Sequence, residues 1–349
     1  MKRYLLVSTI LLFVLSLSSC QRPIKISRHS DWYIYKHTYI SSGRVIDTGN
    51  GDISHSEGQG YGMLLAESYG DKQSFARIWS WTRRHLQIRK DRLLAWRWSP
   101  NIGGVTDLNN ATDGDILVAW ALLRASNRWH IPQYKRDALE IIRDIKTELI
   151  LKTPWGPILL PGRRGFIKRD GVEVNLSYWI YPALEDFAKA YPSPVWGELI
   201  KTGIRLLKHA RFGRWHLPPD WLLLNHNIRP LHPNTARFGF NAVRIPLYLI
   251  WGGFKDRQLL KPFVTYYDYF QPGRFLPAWT RLSNNSVDSY NAPPGIYAIF
   301  KLTSYVYKES GETAKKAQDL FPPLTLPQNY YSASLLLMSK IAFQERVRP

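Results

Sequence analysis

The sequence predicts an all-α protein whose helices form an (α/α)6 barrel, and three observations support this prediction. Apolar residues recur with helical spacing in about twelve segments, whereas the alternation typical of strands is scarce. Short and long connections alternate along the chain. In an antiparallel series of helices every second connection lies at the same end, so the long loops should gather on one face, where loops of this length usually carry function.

The helix boundaries follow from the residues that break helical periodicity. Gly and Pro mark tight turns, here at Gly70-Asp71, at 130–132, at 191–193 and at Gly252-Gly253. Longer connections cover 41–56, 89–112, 151–175, 211–237 and 272–292. The helices predicted between them are 30–40, 57–69, 72–88, 113–128, 132–150, 176–190, 194–210, 238–251, 255–271, 293–307, 312–320 and 328–344.

The first twenty residues have the layout of an export signal. Lys2 and Arg3 precede an apolar run from Leu5 to Leu15, which is too short for a membrane span. The ending "LSSC" resembles a bacterial lipobox, in which Cys20 is lipidated; the alternative is an ordinary signal peptide that contains a cysteine. We therefore expect a lipoprotein signal at 1–19, a tether at 20–29 and one catalytic domain at 30–349. Gln21 after Cys20 favours the outer membrane, on the periplasmic side.

Composition restricts the class of protein and its partners. Hydrophobic residues make up 45% of the chain and charged residues 21%, which is typical of a globular protein with a large core. The formal charge of +20 suits an acidic polymer or an anionic lipid surface, although a solvated basic surface without a partner explains it equally well. Export and the lack of basic runs interleaved with aromatic residues argue against nucleic acid. With a single cysteine, no intramolecular disulfide can form.

Tryptophans are unusually frequent in the long loops. Six of the 14 Trp residues lie there, although loops are otherwise polar. Trp rings can stack on the apolar C–H faces of sugar rings while their edges bind polar groups; the alternative is that they cover the ends of the core. The six are Trp96, Trp98, Trp155, Trp215, Trp221 and Trp279.

Carboxylates recur where long loops meet helices. Glu57 opens the second predicted helix, Asp113 and Asp115 open the fourth, and Asp220 lies in "LPPDW". One of the two aspartates is expected to be a helix cap or first-turn acid. The sequence has no HExxH, paired cysteines, phosphate-binding loop, dinucleotide fingerprint, GxSxG or metal-ligand spacing of His, so no cofactor or metal is expected. Carboxylates and aromatic residues on one face are typical of glycoside hydrolysis by two acids.

Together these stretches resemble glycoside hydrolase family 8, and within it the cellulases that accompany bacterial cellulose synthesis. The matching stretches run through most of the chain, and "NNATDGDILVAWALLRASNRW" is the most specific, departing from the family signature only at Val118. The others are "SGRVID" (42–47), "SEGQGYGM" (56–63), "WTRRHL" (81–86), "LAWRW" (94–98), "LLPGRRGF" (159–166), "NLSYW" (175–179), "PPDW" (218–221) and "FGFNAVRIPLY" (238–248). The resemblance implies the (α/α)6 barrel again.

The resemblance also implies roles for individual residues. Glu57 would be the general acid, partly desolvated so that it stays protonated near neutral pH, with glycines that let a sugar approach the backbone. Asp113 would be the second acid, acting as nucleophile or base or holding the sugar. Family members invert the anomeric centre. The candidate substrate-binding residues are Tyr61, Trp98, Tyr178, Asp220, Trp221 and Arg244.

Asn241 departs from the pattern, because the family's cellulases have Asp there as the base. An amide cannot take a proton from water at neutral pH, although its oxygen can orient one. Three interpretations follow: another acid serves as base (Asp113, Asp170, Glu173 or Asp220), the enzyme is slow, or the chain binds glycans without cutting them. The leading hypothesis is an inverting endo-acting hydrolase of β-1,4-glucan or a related exopolysaccharide, linked to polysaccharide synthesis or export; a chitosanase- or xylanase-like specificity is a further alternative.

Overall fold

The computed structural model describes residues 30–271, 275–308 and 320–347. The predicted signal, Cys20 and the tether therefore lie outside the described residues, as do residues 312–319 of the predicted helix at 312–320. The described α-helices are α1 (Asp31–Tyr39), α2 (Ser56–Ser68), α3 (Lys72–His85), α4 (Thr112–Trp129), α5 (Pro132–Glu148), α6 (Tyr181–Ala190), α7 (Pro194–His209), α8 (Ile245–Trp251), α9 (Arg257–Phe270), α10 (Pro294–Lys308) and α11 (Tyr330–Arg346).

The helices form two concentric layers. Helices α2, α4, α6, α8, α10 and α11 contact one another in a closed ring, and α11 returns to α2. Helices α3, α5, α7 and α9 each pack outside a neighbouring inner helix, and α1 packs against α2 and α11. The predicted (α/α)6 barrel is confirmed.

Sequence patterning explains which helices are inside. Most of α2, α4, α8 and α11 is buried on every side, whereas α3, α5, α7 and α9 bury one face only. A helix that is apolar all round belongs in a core, and an amphipathic one belongs at the surface. Trp79 of α3 and Trp196 of α7 are among the buried residues that face inward.

The inner helices α2, α4, α6 and α8 point the same way. Each of them follows a long connection and each of the outer helices α3, α5, α7 and α9 follows a short one, so the amino-terminal ends of these inner helices share one face of the barrel. Helix amino termini carry partial positive charge and unpaired N–H groups, which favours anions there. The helix ends alone therefore favour carboxylates on this face.

Short strands join the long loops to one another. None of the described strands exceeds four residues, which is too short for a period-two pattern to stand out in the sequence. They are β1 (Ile40–Ser41), β2 (Arg44–Val45), β3 (Ser54–His55), β4 (Arg97–Ser99), β5 (Gly104–Asp107), β6 (Ile150–Thr153), β7 (Gly156–Leu159), β8 (Ile167–Lys168), β9 (Gly171–Val174), β10 (Leu222–Leu224), β11 (Ile228–Pro230), β12 (Arg237–Phe238) and β13 (Thr280–Arg281).

Three antiparallel sheets connect loops that are distant in sequence. The sheet β3-β4-β5 pairs the loop before α2 with the loop before α4, with Ser54 opposite Trp98. In β11-β10-β9-β8, Leu222 pairs with Val174, which joins the loops before α6 and α8. Strands β12 and β13 join the loops before α8 and α10. These sheets form two groups of loops, and the hydrogen bonds between Asn109 and the backbone of Arg164 join one group to the other.

Two predicted helices begin later than expected. The segment 176–190 starts with a 3-10 turn, Leu176–Tyr178, before α6, and 238–251 starts in β12 and a 3-10 turn, Ala242–Arg244, before α8. Pro182 and Pro246 lie in the first turns of these helices, where the missing N–H costs no helical bond. Across the described ranges, no helix is both long and apolar enough to cross a membrane.

Candidate active site

A cleft opens at the amino-terminal ends of the inner helices. Its volume is ≈ 250 Å³, and it brings together residues from six of the stretches that carry the sequence resemblance. The lining residues are Asp47, Asn50, His55, Ser56, Glu57, Trp96, Ala111, Asp113, Tyr178, Asn241 and Arg244. Five of the predicted site residues, Glu57, Asp113, Tyr178, Asn241 and Arg244, therefore meet in one place.

Glu57 is placed by the start of α2. His55 is the N-cap residue, and its Nδ1 accepts the backbone N–H of Gly58 at 3.1 Å, so the helix begins immediately before Glu57. The Tyr61 hydroxyl, one turn later, donates to Glu57 Oε1 at 2.9 Å. The same carboxylate contacts Nη1 of Arg244. The side chain remains 17% exposed. Glu57 is therefore held by Tyr61 and Arg244 on its buried side and remains accessible from the cleft.

Arg244 donates hydrogen bonds to several side chains at the floor of the cleft. Its Nη1 donates to Tyr61 Oη at 3.1 Å and to Asp113 Oδ2 at 3.3 Å. Its Nη2 donates to Ser177 Oγ and to Asn241 Oδ1, both at 3.0 Å. The residue is only 3% exposed, so this charge is stabilised by Glu57 and Asp113 rather than by water.

Asp113 lies in the first turn of α4. Its Oδ1 accepts the backbone N–H of Gly114 at 2.8 Å, as expected for an acid at a helix amino terminus. Burial raises the pKa of the Asp113 carboxyl to about 7, against the effects of the Gly114 hydrogen bond and of His55, which both lower it.

Asp115 has a structural role. Its oxygens accept from the backbone N–H of Leu94 at 2.8 Å and from Asn110 Nδ2 at 2.7 Å, which ties the second long loop to the start of α4 at two points. Burial raises the pKa of Asp115 to about 8. One of the two aspartates was expected to be a helix cap or first-turn acid; both lie in the first turn of α4, and Asp113 is the one that accepts a backbone N–H group of the helix.

Asn241 contacts a different nitrogen of the Arg244 guanidinium from the one that Glu57 contacts. Its Oδ1 accepts from Asn175 Nδ2 and from Arg244 Nη2, each at 3.0 Å. Both lone pairs of the amide oxygen are therefore occupied. Because the amide cannot take up a proton and its oxygen is already satisfied, Asn241 offers the cleft a hydrogen-bond donor rather than a base.

Asp220 supports the turn that carries Asn241. Its Oδ1 accepts the backbone N–H groups of Gly239, Asn241 and Ala242 at 2.8–3.1 Å. Enclosure raises the pKa of Asp220 to about 6, although the three N–H donors oppose this. Asp220 does not line the cleft. The structure gives it a positioning role beneath Asn241.

The other two candidate bases lie away from the cleft. Asp170, in the β8-β9 turn, pairs with Arg229 at 2.9 Å, and Glu173, in β9, pairs with Lys168 at 3.4 Å. Neither lines the cavity. Of the acids proposed as alternative bases, Asp113 alone shares the cleft with Glu57.

The aromatic residues divide into two groups. Tyr178 lines the cleft, its ring centre lies 6.0 Å from Arg244 Cζ, and it packs edge-on against Trp221. Trp221 in turn stacks on Phe166 with ring planes 3° apart, which extends an aromatic surface away from the cleft. By contrast, Trp98 packs against Trp81 and under Arg44 and does not line the cavity.

The remaining loop tryptophans mostly have packing roles. Trp215 is 5% exposed and lies against Tyr266, Trp155 donates to the carbonyl of Asn225, and Trp279 lies under Arg237. Trp96 alone of the six lines the cleft, and its Nε1 donates to Asp107. The interpretation that these residues cover the ends of the core thus fits most of the set.

The glycines of "SEGQGYGM" have a different function from the one expected. A Cβ on Gly60 would lie 2.5 Å from Leu117 Cβ, and one on Gly62 would lie 2.6 Å from a Val45 methyl group. A Cβ on Gly58 would lie 2.8 Å from the Tyr330 hydroxyl. The prediction that these glycines make room for a sugar is wrong, because all three are buried and allow α2 to approach its neighbours closely.

Sequence reasoning missed two acid–base residues of the cleft. Asp47 and His55 both line it, and His55 Nε2 lies 3.3 Å from Asp47 Oδ2. His55 Nδ1 is also 3.9 Å from Glu57 Oε2. Asp47 lies in the quoted stretch "SGRVID" and His55 directly precedes "SEGQGYGM", so proximity to these motifs was the available signal.

In the part of the chain that the structure describes, no cluster of three or more His, Cys, Asp or Glu could hold a metal ion. The acids of the cleft are instead held by Arg244, by hydroxyl groups and by backbone N–H groups.

Comparisons with known proteins identify the family of this chain. The family model "Glycosyl hydrolases family 8" matches residues 3–345. A protein of Novacetimonas hansenii named "Probable endoglucanase" is 40% identical over 319 residues, which is 90% of each chain. The solved endo-β-1,4-glucanase of Acetobacter xylinum is 39% identical, with a TM-score of 0.82 over 92% of this chain and 100% of that one. A family 8 endoglucanase of Klebsiella pneumoniae is 35% identical, with a TM-score of 0.81 over 90% of this chain and 99% of that one.

Proposed function

The chain belongs to glycosyl hydrolases family 8 and is a glycoside hydrolase, and from this premise we propose that it cuts β-1,4-glucan at internal bonds with Glu57 as the general acid. One observation carries the proposal. Glu57 is partly exposed to a cleft whose floor holds Asp113, Asn241 and Arg244. The named activity of the relatives supports the substrate class.

The position of Glu57 supports its assignment as the proton donor. It lies in the first turn of α2 and is anchored through one oxygen by Tyr61, so its other oxygen can point to the glycosidic oxygen of a bound glycan. General acid catalysis requires hydrogen-bond reach of about 2.6–3.2 Å to that oxygen. A fixed side chain at the edge of an open cleft satisfies this requirement once a glycan is bound.

Asp113 is assigned to holding the sugar rather than to activating water. Glu57 and Asp113 contact the same nitrogen, Nη1 of Arg244, so the contacting oxygens lie within about 6 Å of each other. An inverting pair of carboxyl groups needs about 6.5–9.5 Å to accommodate a water and a sugar. Asn241 contacts the other nitrogen, Nη2, and so does not occupy the same position on the guanidinium as Asp113.

We assign the water-binding position of an inverting mechanism to Asn241. Its amide can orient the attacking water by donating a hydrogen bond, but the proton must leave through solvent. A positioned base contributes about 10²–10⁴-fold to a rate, so hydrolysis by this chain is expected to be slow relative to an enzyme with a carboxylate there. Slow inverting hydrolysis is thus the mechanism that this set of residues supports best.

A second candidate function is glycan binding without cleavage. Asn241 favours it, because the amide leaves the usual base position without a proton acceptor. The retained Glu57, with its own hydroxyl donor and arginine contact, favours hydrolysis, since a pure binding protein needs no acid.

The cellular setting is also part of the proposal. The apolar run at Leu5–Leu15 and the "LSSC" ending support export and lipid attachment through Cys20, with the outer membrane favoured. The resemblance to cellulases of cellulose synthesis supports a role beside polysaccharide production. Cys20→Ala should move the protein from the membrane fraction to the soluble periplasmic fraction, and loss of the gene should change the yield or chain length of the exopolysaccharide.

The function is tested with the purified chain and a soluble β-1,4-glucan. An endo-acting enzyme lowers viscosity before many reducing ends accumulate, and proton NMR of fresh products shows an α-anomer if the enzyme inverts. Binding of the glucan with no new reducing ends after long incubation would favour the binding function, and a β-anomeric product would refute inversion.

A further inference from the structure

A second cavity lies beside the cleft and carries an excess of positive charge. This basic pocket, between the loops at 88–91 and 163–164, has a volume of ≈ 340 Å³. Four basic side chains line it, Arg89, Lys90, Arg163 and Arg164, against one carboxylate, Asp91. Neither the cleft chemistry nor the similarity to known endoglucanases accounts for this charge.

Two of the four cations are neutralised within the protein. Arg89 donates to both oxygens of Asp91 at 2.7 and 2.8 Å. Arg163 pairs with Glu148 at 2.9 Å and lies 3.6 Å from Asp91. The excess charge of the basic pocket therefore belongs to Lys90 and Arg164, which are exposed and whose charged groups form no ion pair within the described ranges.

The backbone of Arg164 is held by hydrogen bonds before any ligand binds. Asn109 Nδ2 donates to the carbonyl of Arg164 at 2.9 Å, and the N–H of Arg164 donates to Asn109 Oδ1 at 3.2 Å. The N–H of Arg163 donates to the buried Asn110 at 2.7 Å. A loop held by side chains in this way has less entropy to lose on binding.

The basic pocket and the cleft share a wall. Asn109 lines the pocket, and Ala111, two residues later, lines the cleft. Trp96, also in the cleft, donates its backbone N–H to the carbonyl of Asn109 at 2.9 Å. Two residues of extended chain span about 7 Å. A glycan chain that leaves the cleft on this side therefore passes the basic pocket.

We propose that the basic pocket binds a carboxylate-bearing sugar of an acidic β-1,4-linked glycan while a neighbouring part of the chain occupies the cleft. Guanidinium and ammonium groups bind carboxylates through charge-assisted hydrogen bonds. The exposed side chains of Ile88 and Leu108, 51% and 59% accessible, offer apolar contact to the sugar ring. This inference rests on the proposed function, because it assumes that the cleft holds a glycan.

Binding is measured without turnover in the Glu57→Gln background. The two probes are a neutral β-1,4-glucan hexasaccharide and the same backbone with some residues oxidised at C6 to uronate. We expect the uronate probe to bind at least tenfold more tightly at low salt, with most of the preference lost near 0.15 M salt because exposed charges are screened. Lys90→Ala/Arg164→Ala should reduce that preference about tenfold and leave neutral binding within twofold.

A matched control removes the same two residue types elsewhere. Lys135 and Arg136 are exposed in the first turn of α5, which begins at the barrel end opposite the cleft. Lys135→Ala/Arg136→Ala lowers the net charge equally, so an unchanged preference in this variant shows that the local pocket matters rather than the overall charge.

Three results would overturn the inference: equal binding of both probes, a preference that survives Lys90→Ala/Arg164→Ala, or an equal loss in the Lys135→Ala/Arg136→Ala control. Binding to anionic phosphatidylglycerol vesicles that depends on Lys90 and Arg164, without a uronate preference, would assign the pocket to a lipid surface instead. Cleavage of neutral glucan by the unmodified chain is scored separately, so the proposed function can stand while this inference fails.

Discussion

Replacing Asn241 with Asp should turn a slow hydrolase into a faster one. The change is nearly isosteric and puts a carboxylate where two donors already converge, Arg244 Nη2 and Asn175 Nδ2, each 3.0 Å from the amide oxygen. These donors stabilise the ionised form, so the new group is unprotonated at neutral pH. Asn241→Asp therefore adds the missing base without rebuilding the cleft.

The size of the effect follows from these contacts. A positioned base is worth about 10²–10⁴-fold. Hydrogen bonds to charged groups stabilise the carboxylate by roughly 1.5–3 kcal/mol each, which reduces its basicity and favours the lower end of that range. We expect kcat to rise about 10²-fold, a decrease of roughly 2.7 kcal/mol in the activation free energy.

Reducing-end release from soluble β-1,4-glucan measures this increase, with thermal unfolding to confirm that the variant is folded. Asn127→Asp is the matched control, because Asn127 is exposed in the last turn of α4, about 20 Å along the helix from Asp113. A folded Asn241→Asp protein that is no faster than the unmodified chain would refute the assignment of the water-binding position to residue 241.

Two further predictions concern stability. Gly60→Ala places a methyl group 2.5 Å from Leu117 Cβ and should lower the free energy of unfolding by about 1–3 kcal/mol in urea titrations. Gly197→Ala, on α7 with no atom within 4 Å of the new Cβ, should instead raise it by up to about 1 kcal/mol; equal effects would contradict the close packing of α2 on α4. Because burial raises the pKa of Asp115 to about 8, the folded state holds a proton that the unfolded chain releases, and this contribution to stability is lost as pH rises from about 4 to about 8. Urea titrations at pH 5 and pH 8 should show a loss for the unmodified chain that is several kcal/mol larger than for Asp115→Asn, and identical pH dependence in both proteins would contradict a neutral Asp115.

Much of the fold could be predicted from the sequence because the helices follow local rules. Gly and Pro mark the tight turns, and the alternation of connection lengths gave the direction of each helix and the face that carries the loops. The starts of α6 and α8 were placed too early, since apolar spacing continues through the 3-10 turns before Pro182 and Pro246. The short strands were missed because two to four residues cannot show alternation.

The site was predictable where a motif carries the chemistry and was missed where side chains meet only in three dimensions. Glu57, Asp113 and Arg244 were found from their motifs, but nothing local indicates that one guanidinium contacts both acids. Trp96 and Trp98 are two residues apart, yet only Trp96 lines the cleft, because Trp98 lies in β4, whose register shifts between Arg97 and Trp98, and packs against Trp81. In the sequence, a glycine that gives a sugar access to the backbone looks the same as one that allows close helix packing. The structure distinguishes the two, because Gly60 lies against Leu117.

The most direct test of the account compares Glu57→Gln with the unmodified chain on two substrates. The first is soluble β-1,4-glucan, whose leaving sugar must be protonated, and the second is a cello-oligosaccharide with a dinitrophenyl leaving group, which departs without a proton. A general acid at residue 57 predicts a loss of about 10³-fold on the glucan and a far smaller loss on the aryl substrate. Unchanged activity on the glucan, or an equal loss on both substrates in a folded variant, would contradict the assignment of Glu57 as the acid.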